Sequence, residues 1–301
     1  MATLYPPTVL VLLVLLVASS ACDGDTAEDA GTPADAARDS DTGAGVPCPG
    51  EDNARGWRSD TEVAIGPGIV RGDTVAALGE HSVTRFRGIP FAESTAGPNR
   101  FRPPVPRRCL VDAPADIFEA NAWPNICRQT DADGVSVGSE DCLGLNIWAP
   151  SQSAAGDAQP VIVWLHGGGM WYGNAQTDML PGPHLASAGA VMVSMHSRVG
   201  PLGYVAHSAF EEESPTGSAA GNYGVMDVIE GLRWIRDNID AFGGDPDNVT
   251  VIGVSGGGDR VYYLMASPLA AGLFHRAAPH AGSTWVVSEP ARVERAATTM
   301  V

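Results

Sequence analysis

The chain has 301 residues, 44% of them hydrophobic, which is enough for one large α/β domain with a buried core. Its formal net charge of −17 at pH 7 argues against nucleic acid and anionic lipid as partners. All 18 fixed side-chain cations are arginines, and the lack of lysine excludes Schiff-base chemistry and the Ser-x-x-Lys class of serine hydrolases.

The N-terminus predicts an export signal over residues 1–22. The apolar run at 9–18 is too short to span a bilayer as a helix. It ends in Ser-Ser-Ala-Cys, which resembles a bacterial lipoprotein cleavage site with Cys22 as the lipidated residue. A plain signal peptide cut near Ala21 is the alternative.

Residues 23–57 are predicted to be an acidic disordered tether. This segment is rich in Ala, Gly, Thr and Asp, so it buries too little apolar surface to offset its ordering entropy. The folded domain is expected over residues 58–301. We therefore expect an exported protein, either secreted or a periplasmic or outer-surface lipoprotein, that meets a membrane only through an N-terminal lipid.

The cysteines also favour export. Four remain after Cys22, and an even number is typical of disulfides in an oxidising compartment. Cys127 with Cys142 closes a loop of modest length, and Cys48 with Cys109 ties down the start of the domain. Four cysteines allow three pairings, so this one is a preference among them.

The predicted elements are strands alternating with helices after an antiparallel start. Residues 62–75 form two extended stretches about Gly66-Pro67-Gly68, which indicates a hairpin. Residues 227–241 have apolar side chains at helical spacing and are followed by Gly243-Gly244, which predicts a helix with a glycine stop. Apolar runs of buried-strand length lie at 83–91, 143–148, 160–165, 191–195 and 249–254. We expect an α/β fold with a mostly parallel central sheet and antiparallel N-terminal edge strands.

Two motifs point to nucleophilic catalysis. Ser255 follows the predicted strand 249–254 and lies between Gly253 and Gly257, a pattern typical of a serine at a strained strand-to-helix corner. His166-Gly167-Gly168-Gly169 directly follows the strand 160–165. Its glycines allow backbone N–H groups to turn toward a developing oxyanion. Together the motifs predict a serine hydrolase.

Several further motifs, in order along residues 62–283, resemble the type B carboxylesterase family, which includes the cholinesterases and has the α/β-hydrolase fold. They are Phe-Arg-Gly-Ile-Pro-Phe-Ala at 86–92, Arg-Phe-Arg-Pro-Pro at 100–104, Ser-Glu-Asp-Cys-Leu-Gly-Leu-Asn-Ile-Trp-Ala-Pro at 139–150, Arg-Val-Gly-Pro-Leu-Gly-Tyr at 198–204, Gly-Asn-Tyr-Gly at 221–224, and the stretch 267–277.

The resemblance implies hydrolysis of a small-molecule ester without a cofactor. Ser255 would attack the ester carbonyl, and Cys142 would pair with Cys127. Three backbone N–H groups would hold the oxyanion: those of Gly168, Gly169 and Gly256. Asp227, taken as the start of the long helix, is interpreted as a structural cap. The histidines lack metal-ligand spacing, so no metal is expected.

The chain also departs from the family pattern. The resemblance implies a triad acid and histidine far beyond the elbow, whereas only 46 residues follow Ser255. We therefore expect that the C-terminal half of the fold, with the acid and the base, is absent, and that this fragment is inactive alone. Near the elbow, Val254 replaces a usual glutamate, His196-Ser197 a usual Asn-Tyr, and His280-Ala281 a usual Gln-Ser.

Three alternatives stay open at this point. His280 could be a relocated base, because it should fall at a strand end near Ser255. The protein could be a non-catalytic binding protein of the same fold, although such a protein has no use for Ser255 and the oxyanion glycines. It could also be a decayed gene product whose incomplete sheet exposes an apolar edge.

Overall fold

The computed structural model describes residues 55–66, 68–77, 82–111, 116–151, 157–176, 182–207, 210 and 221–283, all within one structural unit spanning Val46–Val301. The predicted signal, Cys22, the tether up to residue 54 and Cys48 lie outside the described residues. Within the described ranges, no helix is long and apolar enough to cross a membrane.

The described elements are short strands followed by alternating strands and helices. The strands are β1 Gly56–Ser59, β2 Glu62–Ile65, β3 Gly68–Arg71, β4 Asp73–Ala76, β5 Ser82–Pro90, β6 Ile117–Glu119, β7 Gln129–Thr130, β8 Ser136–Val137, β9 Gly144–Pro150, β10 Gln159–Leu165, β11 Val191–Met195, β12 Gly244–Val254 and β13 Arg276–His280. The α-helices are α1 Gly182–Ser187, α2 Gly200–Tyr204, α3 Tyr223–Asn238 and α4 Gly256–Ala266. Single 3-10 turns occur at Gly97–Asn99, Ile239–Phe242 and Pro268–Ala270.

The main sheet has seven strands in the order β13-β12-β10-β11-β9-β5-β4. Strands β13, β12, β10 and β11 pair in parallel, while β11–β9, β9–β5 and β5–β4 pair antiparallel. The sheet is therefore mixed, and the expectation of a mostly parallel sheet is not confirmed for the described strands. The parallel part is the part that carries the serine elbow.

The predicted N-terminal hairpin is confirmed, but it belongs to a different sheet. Strands β2 and β3 pair antiparallel, with Val63 opposite Val70, and both of these side chains are buried. They lie in a four-stranded sheet with the order β1-β2-β3-β6. Buried and more exposed residues alternate along β3, whereas in β2 both Val63 and Ala64 are buried, so the hairpin packs mainly one face against the core.

The long helix α3 begins earlier than its apolar pattern predicts. It starts at Tyr223, so Asp227 lies in its second turn and is fully buried. The interpretation of Asp227 as a cap at the helix start is therefore wrong. The predicted glycine stop after this helix is confirmed. The chain leaves the 3-10 turn that follows α3 through Gly243 at φ +86°, a left-handed conformation that favours glycine.

The core fixes where the two predicted motifs meet. Strands β10 and β12 are neighbours in parallel, with Leu165 opposite Gly253. The glycine motif follows Leu165, and Ser255 follows two residues after Gly253. Because both strands end at the same edge of the sheet, the two motifs emerge side by side, where ligands bind in open α/β sheets.

Candidate active site

Ser255 occupies the corner between β12 and α4 in a strained conformation. Its φ is +56° and its ψ is −124°, values that a non-glycine residue adopts only when its surroundings enforce them. Its N–H donates to His280 O at 2.8 Å, and its carbonyl accepts from Asp259 N–H at 3.0 Å. The residue is exposed, and its hydroxyl makes no hydrogen bond to another described residue. The corner therefore holds the hydroxyl out toward solvent.

Three consecutive glycines after Ser255 allow the backbone to pack closely around this corner. A Cβ added to Gly256 would lie 2.7 Å from the nitrogen of Gly169, and one on Gly258 would lie 2.8 Å from His280 O. A Cβ on Gly257 would collide with the carbonyl oxygens at the end of β10. Each glycine thus has a packing reason, which composition alone did not reveal.

Residues 166–173, called the glycine loop here, lie directly against the elbow. Gly168 and Gly169 have φ values of +102° and +59°, both left-handed. The Gly168 carbonyl closes a turn by accepting from Trp171 N–H at 3.0 Å. Among the described residues, no acceptor is found for the N–H groups of Gly168, Gly169 or Gly256. Gly256 packs against Gly169, since a Cβ on Gly256 would lie 2.7 Å from Gly169 N, so the free donors of these two residues lie in neighbouring backbone beside Ser255, and Gly168 directly precedes them in the loop.

His166, the first residue of the glycine loop, is bonded within the loop and is not available as a base. Its Nδ1–H donates to Gly167 O at 2.8 Å, and Nη1 of Arg260 donates to His166 O at 3.3 Å. Burial, and then the charge of Arg260, hold the pKa of His166 well below its ordinary value of 6.5. The imidazole is therefore neutral near pH 7 and fixed in one tautomer.

Arg260 was not identified from the sequence. It is fully buried on α4, its Nε donates to Tyr204 Oη at 3.1 Å, and its Nη2 has no partner within the described part of the chain. The sequence feature that could have indicated its role is the charged pair Asp259-Arg260 at the start of an otherwise apolar, glycine-rich helix. The side chain joins the nucleophile helix to the glycine loop.

A strained serine beside a glycine loop with free N–H donors is the arrangement found in serine esterases, and the family comparison agrees with it. The carboxylesterase family model matches residues 59–300. The chain belongs to the carboxylesterase family.

Individual carboxylesterases are similar to this chain over most of its length. The para-nitrobenzyl esterase of Bacillus subtilis (strain 168) is 37% identical over 240 residues, covering 77% of this chain and 45% of that protein. The fumonisin B1 esterase of Sphingopyxis macrogoltabida is 40% identical over 202 residues, covering 66% of this chain and 36% of that protein. A solved PNB esterase structure matches with a TM-score of 0.63 at 36% identity, covering 75% of this chain and 44% of that one. The chain thus spans less than half the length of these relatives.

The predicted disulfide between Cys127 and Cys142 is confirmed. Cys127 and Cys142 are joined, with their Cα atoms 5.0 Å apart. Cys109 is also disulfide-bonded, but Cys48 lies outside the described residues, so the pairing of Cys48 with Cys109 stays a prediction.

Gln129, two residues beyond Cys127, was also missed in the sequence. Its Oε1 accepts from Gly173 N–H at 2.8 Å, and its Nε2 donates to Gly173 O at 3.0 Å and to Cys127 O at 2.9 Å. The side-chain amide therefore pairs with both backbone groups at the end of the glycine loop.

Asp227 pins the segment that follows β11. Its carboxylate accepts from the Arg198 backbone N–H at 2.9 Å, from Nε at 2.9 Å and from Nη2 at 2.6 Å. Both side chains are buried, so this is a desolvated ion pair with several hydrogen bonds. Its role is structural, as predicted, but it acts through Arg198 and not through a helix terminus.

No described histidine is bonded to the Ser255 hydroxyl. His275 directly precedes β13 and lies beside the middle of β12, where its Nδ1 accepts from Val249 N–H at 3.2 Å. His196 is buried at the end of β11. The His280 backbone binds Ser255, but its side chain is exposed and has no hydrogen bond to a described residue. The local acid Asp259 accepts instead from the backbone of Ser283.

Exposed apolar side chains occur on both segments that form the candidate site. Trp171 is 62% exposed, Tyr172 59% and Val254 41%, and all three belong to the glycine loop or to the elbow. Among the residues that the structure describes, no three His, Cys, Asp or Glu side chains are grouped to hold a metal ion.

Proposed function

We propose that this chain carries the nucleophile and the oxyanion hole of a serine carboxylic ester hydrolase. The observation that supports this most is the strained conformation of Ser255, next to Gly256 and the packed glycine loop that carries the free N–H groups of Gly168 and Gly169. Such strain is maintained at a site when the surrounding packing enforces it, and it serves to present the hydroxyl. Family membership agrees with this assignment.

In the proposed reaction, Ser255 Oγ attacks the ester carbonyl carbon, and the oxyanion that forms accepts hydrogen bonds from the three glycine N–H groups. The ester C–O bond then breaks, the alcohol leaves with a proton, and an acyl-serine remains. Water attacks this acyl group and releases the carboxylic acid and free Ser255. One oxyanion-hole donor typically contributes roughly 10²–10³ in rate.

The serine proton needs an acceptor, and we propose that this chain does not supply one by itself. His166 is neutral and engaged in the glycine loop, and His275 is bound to the backbone of Val249 in the middle of β12. A serine hydroxyl without a positioned base is a weak nucleophile. The 301-residue chain alone is thus expected to turn esters over slowly or not at all.

An experiment on the full chain separates these two proposals. In imidazole buffer, which supplies the base and is used for every labelling experiment below, a fluorophosphonate should form one covalent adduct per chain on Ser255, as mass spectrometry would detect, and none in Ser255→Ala. Hydrolysis of p-nitrophenyl acetate should be close to the Ser255→Ala rate in plain buffer. Added imidazole should restore a serine-dependent rate, because it supplies the base from solution.

Ser267→Ala, at the other end of α4, is the matched control and should behave as wild type. If Ser255 forms no adduct and its replacement changes no rate at any imidazole concentration, catalysis by this site is excluded, which favours a non-catalytic binding protein or a decayed product. Fast, serine-dependent turnover without imidazole would overturn only the proposal that the chain is inactive alone.

We also propose that the protein is exported and lipid-anchored through Cys22. The Cys127–Cys142 disulfide supports an oxidising compartment, where such bonds persist. Mass spectrometry of the N-terminal peptide after bacterial expression would find a diacylglyceryl group on Cys22, absent in Cys22→Ala. A peptide cut beside an unmodified Cys22 would instead indicate a plain secreted form.

A further inference from the structure

We propose that Gln129 is a positioning residue that couples the Cys127–Cys142 disulfide to the glycine loop. The inference rests on the proposed function, because the loop matters for catalysis only if its N–H groups stabilise an oxyanion. Gln129 itself does not touch the reacting atoms in this proposal. It acts through the backbone of Gly173.

The side-chain amide of Gln129 bonds both backbone groups of Gly173, its N–H and its C=O. The side chain accepts from Gly173 N–H at 2.8 Å and donates to Gly173 O at 3.0 Å. Two hydrogen bonds from one planar group define both the position and the orientation of the partner. The contact joins residues 44 apart in sequence and fixes the C-terminal end of the loop.

Gly173 in turn lies over the start of the loop. Its φ is +124°, and a Cβ there would lie 2.5 Å from His166 Nδ1 and 2.6 Å from Gly167 O. Gly167 is packed against the elbow, since a Cβ on it would lie 3.5 Å from Ser255 Cβ. A displacement of Gly173 is therefore transmitted within two contacts to the backbone beside the nucleophile.

The disulfide fixes Gln129 relative to the central sheet. The same Nε2 group also donates to Cys127 O at 2.9 Å, and Cys127 is bonded to Cys142, two residues before β9. Strand β9 is buried between β5 and β11. The order of contacts thus runs from the sheet through the disulfide and Gln129 to the glycine loop.

The variant Gln129→Leu tests the proposal, because it keeps a similar volume and removes both hydrogen bonds to Gly173. We expect a fall of roughly 10- to 100-fold in the rate constant for fluorophosphonate labelling of Ser255, the size that follows from misplacing a site by about 1 Å. We also expect faster amide hydrogen exchange in residues 166–173, with no change in β12.

Asn125→Leu is the matched control. Asn125 lies in the same region, and its Nδ2 donates to Asp141 O at 3.0 Å without reaching the glycine loop. Its labelling rate and loop exchange should match wild type. If Gln129→Leu and Asn125→Leu behave alike in both measurements, Gln129 has no positioning role.

A double-mutant cycle tests the coupling to the disulfide. Replacing Cys127 and Cys142 by alanine should slow labelling, and adding Gln129→Leu should slow it little further, because both changes break one series of contacts. Fully additive effects would overturn the coupling. If wild type is not labelled at all, the proposed function fails. The amide hydrogen exchange of residues 166–173 in Gln129→Leu would then still show whether Gln129 positions the glycine loop.

Discussion

Gly256 and Gly169 approach each other so closely that a Cβ on Gly256 would lie 2.7 Å from the Gly169 nitrogen. One glycine begins the nucleophile helix, and the other lies in the loop that follows β10. Their contact brings the serine and the predicted oxyanion donors together, although the two residues are far apart in the sequence. The spacing between the elbow and the loop is therefore set by the absence of a side chain at position 256.

The first prediction concerns this contact. Gly256→Ala should slow fluorophosphonate labelling of Ser255 by about tenfold or more, because the Gly169 backbone must move away from its present place. Gly231→Ala on α3 is the control, since its new Cβ presses only on the flexible end of Met195 and meets the Phe91 ring at an ordinary contact distance of 3.7 Å. Equal labelling rates in the two variants would show that the loop position tolerates the extra methyl group.

The parts of this site that are local in sequence could be predicted from sequence. The elbow serine, the glycine motif and the Cys127–Cys142 pair each rest on short patterns whose backbone requirements are strict. The hairpin about Gly66 and the glycine stop at Gly243 belong to the same class.

The supporting contacts could not be predicted in this way. Gln129 binds Gly173 across 44 residues, Arg260 reaches His166 across 94, and Asp227 binds Arg198 across 29. Each depends on how the strands are ordered in the sheet, which hydrophobic periodicity does not specify. The same reason explains why the sheet was expected to be more parallel than it is.

The second prediction is a loss of stability in mild acid caused by buried neutral histidines. Burial lowers the pKa of His196 from 6.5 to about 4, and nearby backbone groups of Cys142 and Asn125 offset this only in part. His166 is shifted in the same direction. Between pH 6.5 and about 4, His196 is protonated in the unfolded chain and neutral in the folded one. Its contribution to the free energy of unfolding therefore falls as the pH drops below 6.5 and is constant above it.

The expected slope for His196 is about 1.4 kcal/mol per pH unit between pH 6.5 and about 4. Urea unfolding at pH 7 and pH 5 would measure it. In His196→Asn the loss over this interval should shrink by about 2 kcal/mol, whereas His184→Asn, on the exposed side of α1, should leave the wild-type loss unchanged. An unaltered loss in His196→Asn would show that this histidine is protonated equally in both states.

The third prediction concerns the buried pair of Arg198 and Asp227. Asp227→Asn removes the charge that compensates a guanidinium which is only 3% exposed, so it should cost about 3–5 kcal/mol of unfolding free energy. The exposed pair of Arg236 and Asp237 is the control. Asp237→Asn should cost no more than about 1 kcal/mol, because solvent already screens that interaction.

A double replacement of the same pair separates charge burial from packing. Arg198→Met combined with Asp227→Leu removes both charges and keeps apolar volume, so urea unfolding should show a smaller loss than in Asp227→Asn alone. The double variant still loses the hydrogen bond from the Arg198 backbone N–H to Asp227, and the one from Nη1 to Arg102 O, so it should not exceed wild-type stability by much. If the double variant is less stable than Asp227→Asn, the pair contributes mainly through its geometry, and the uncompensated charge is not the dominant cost.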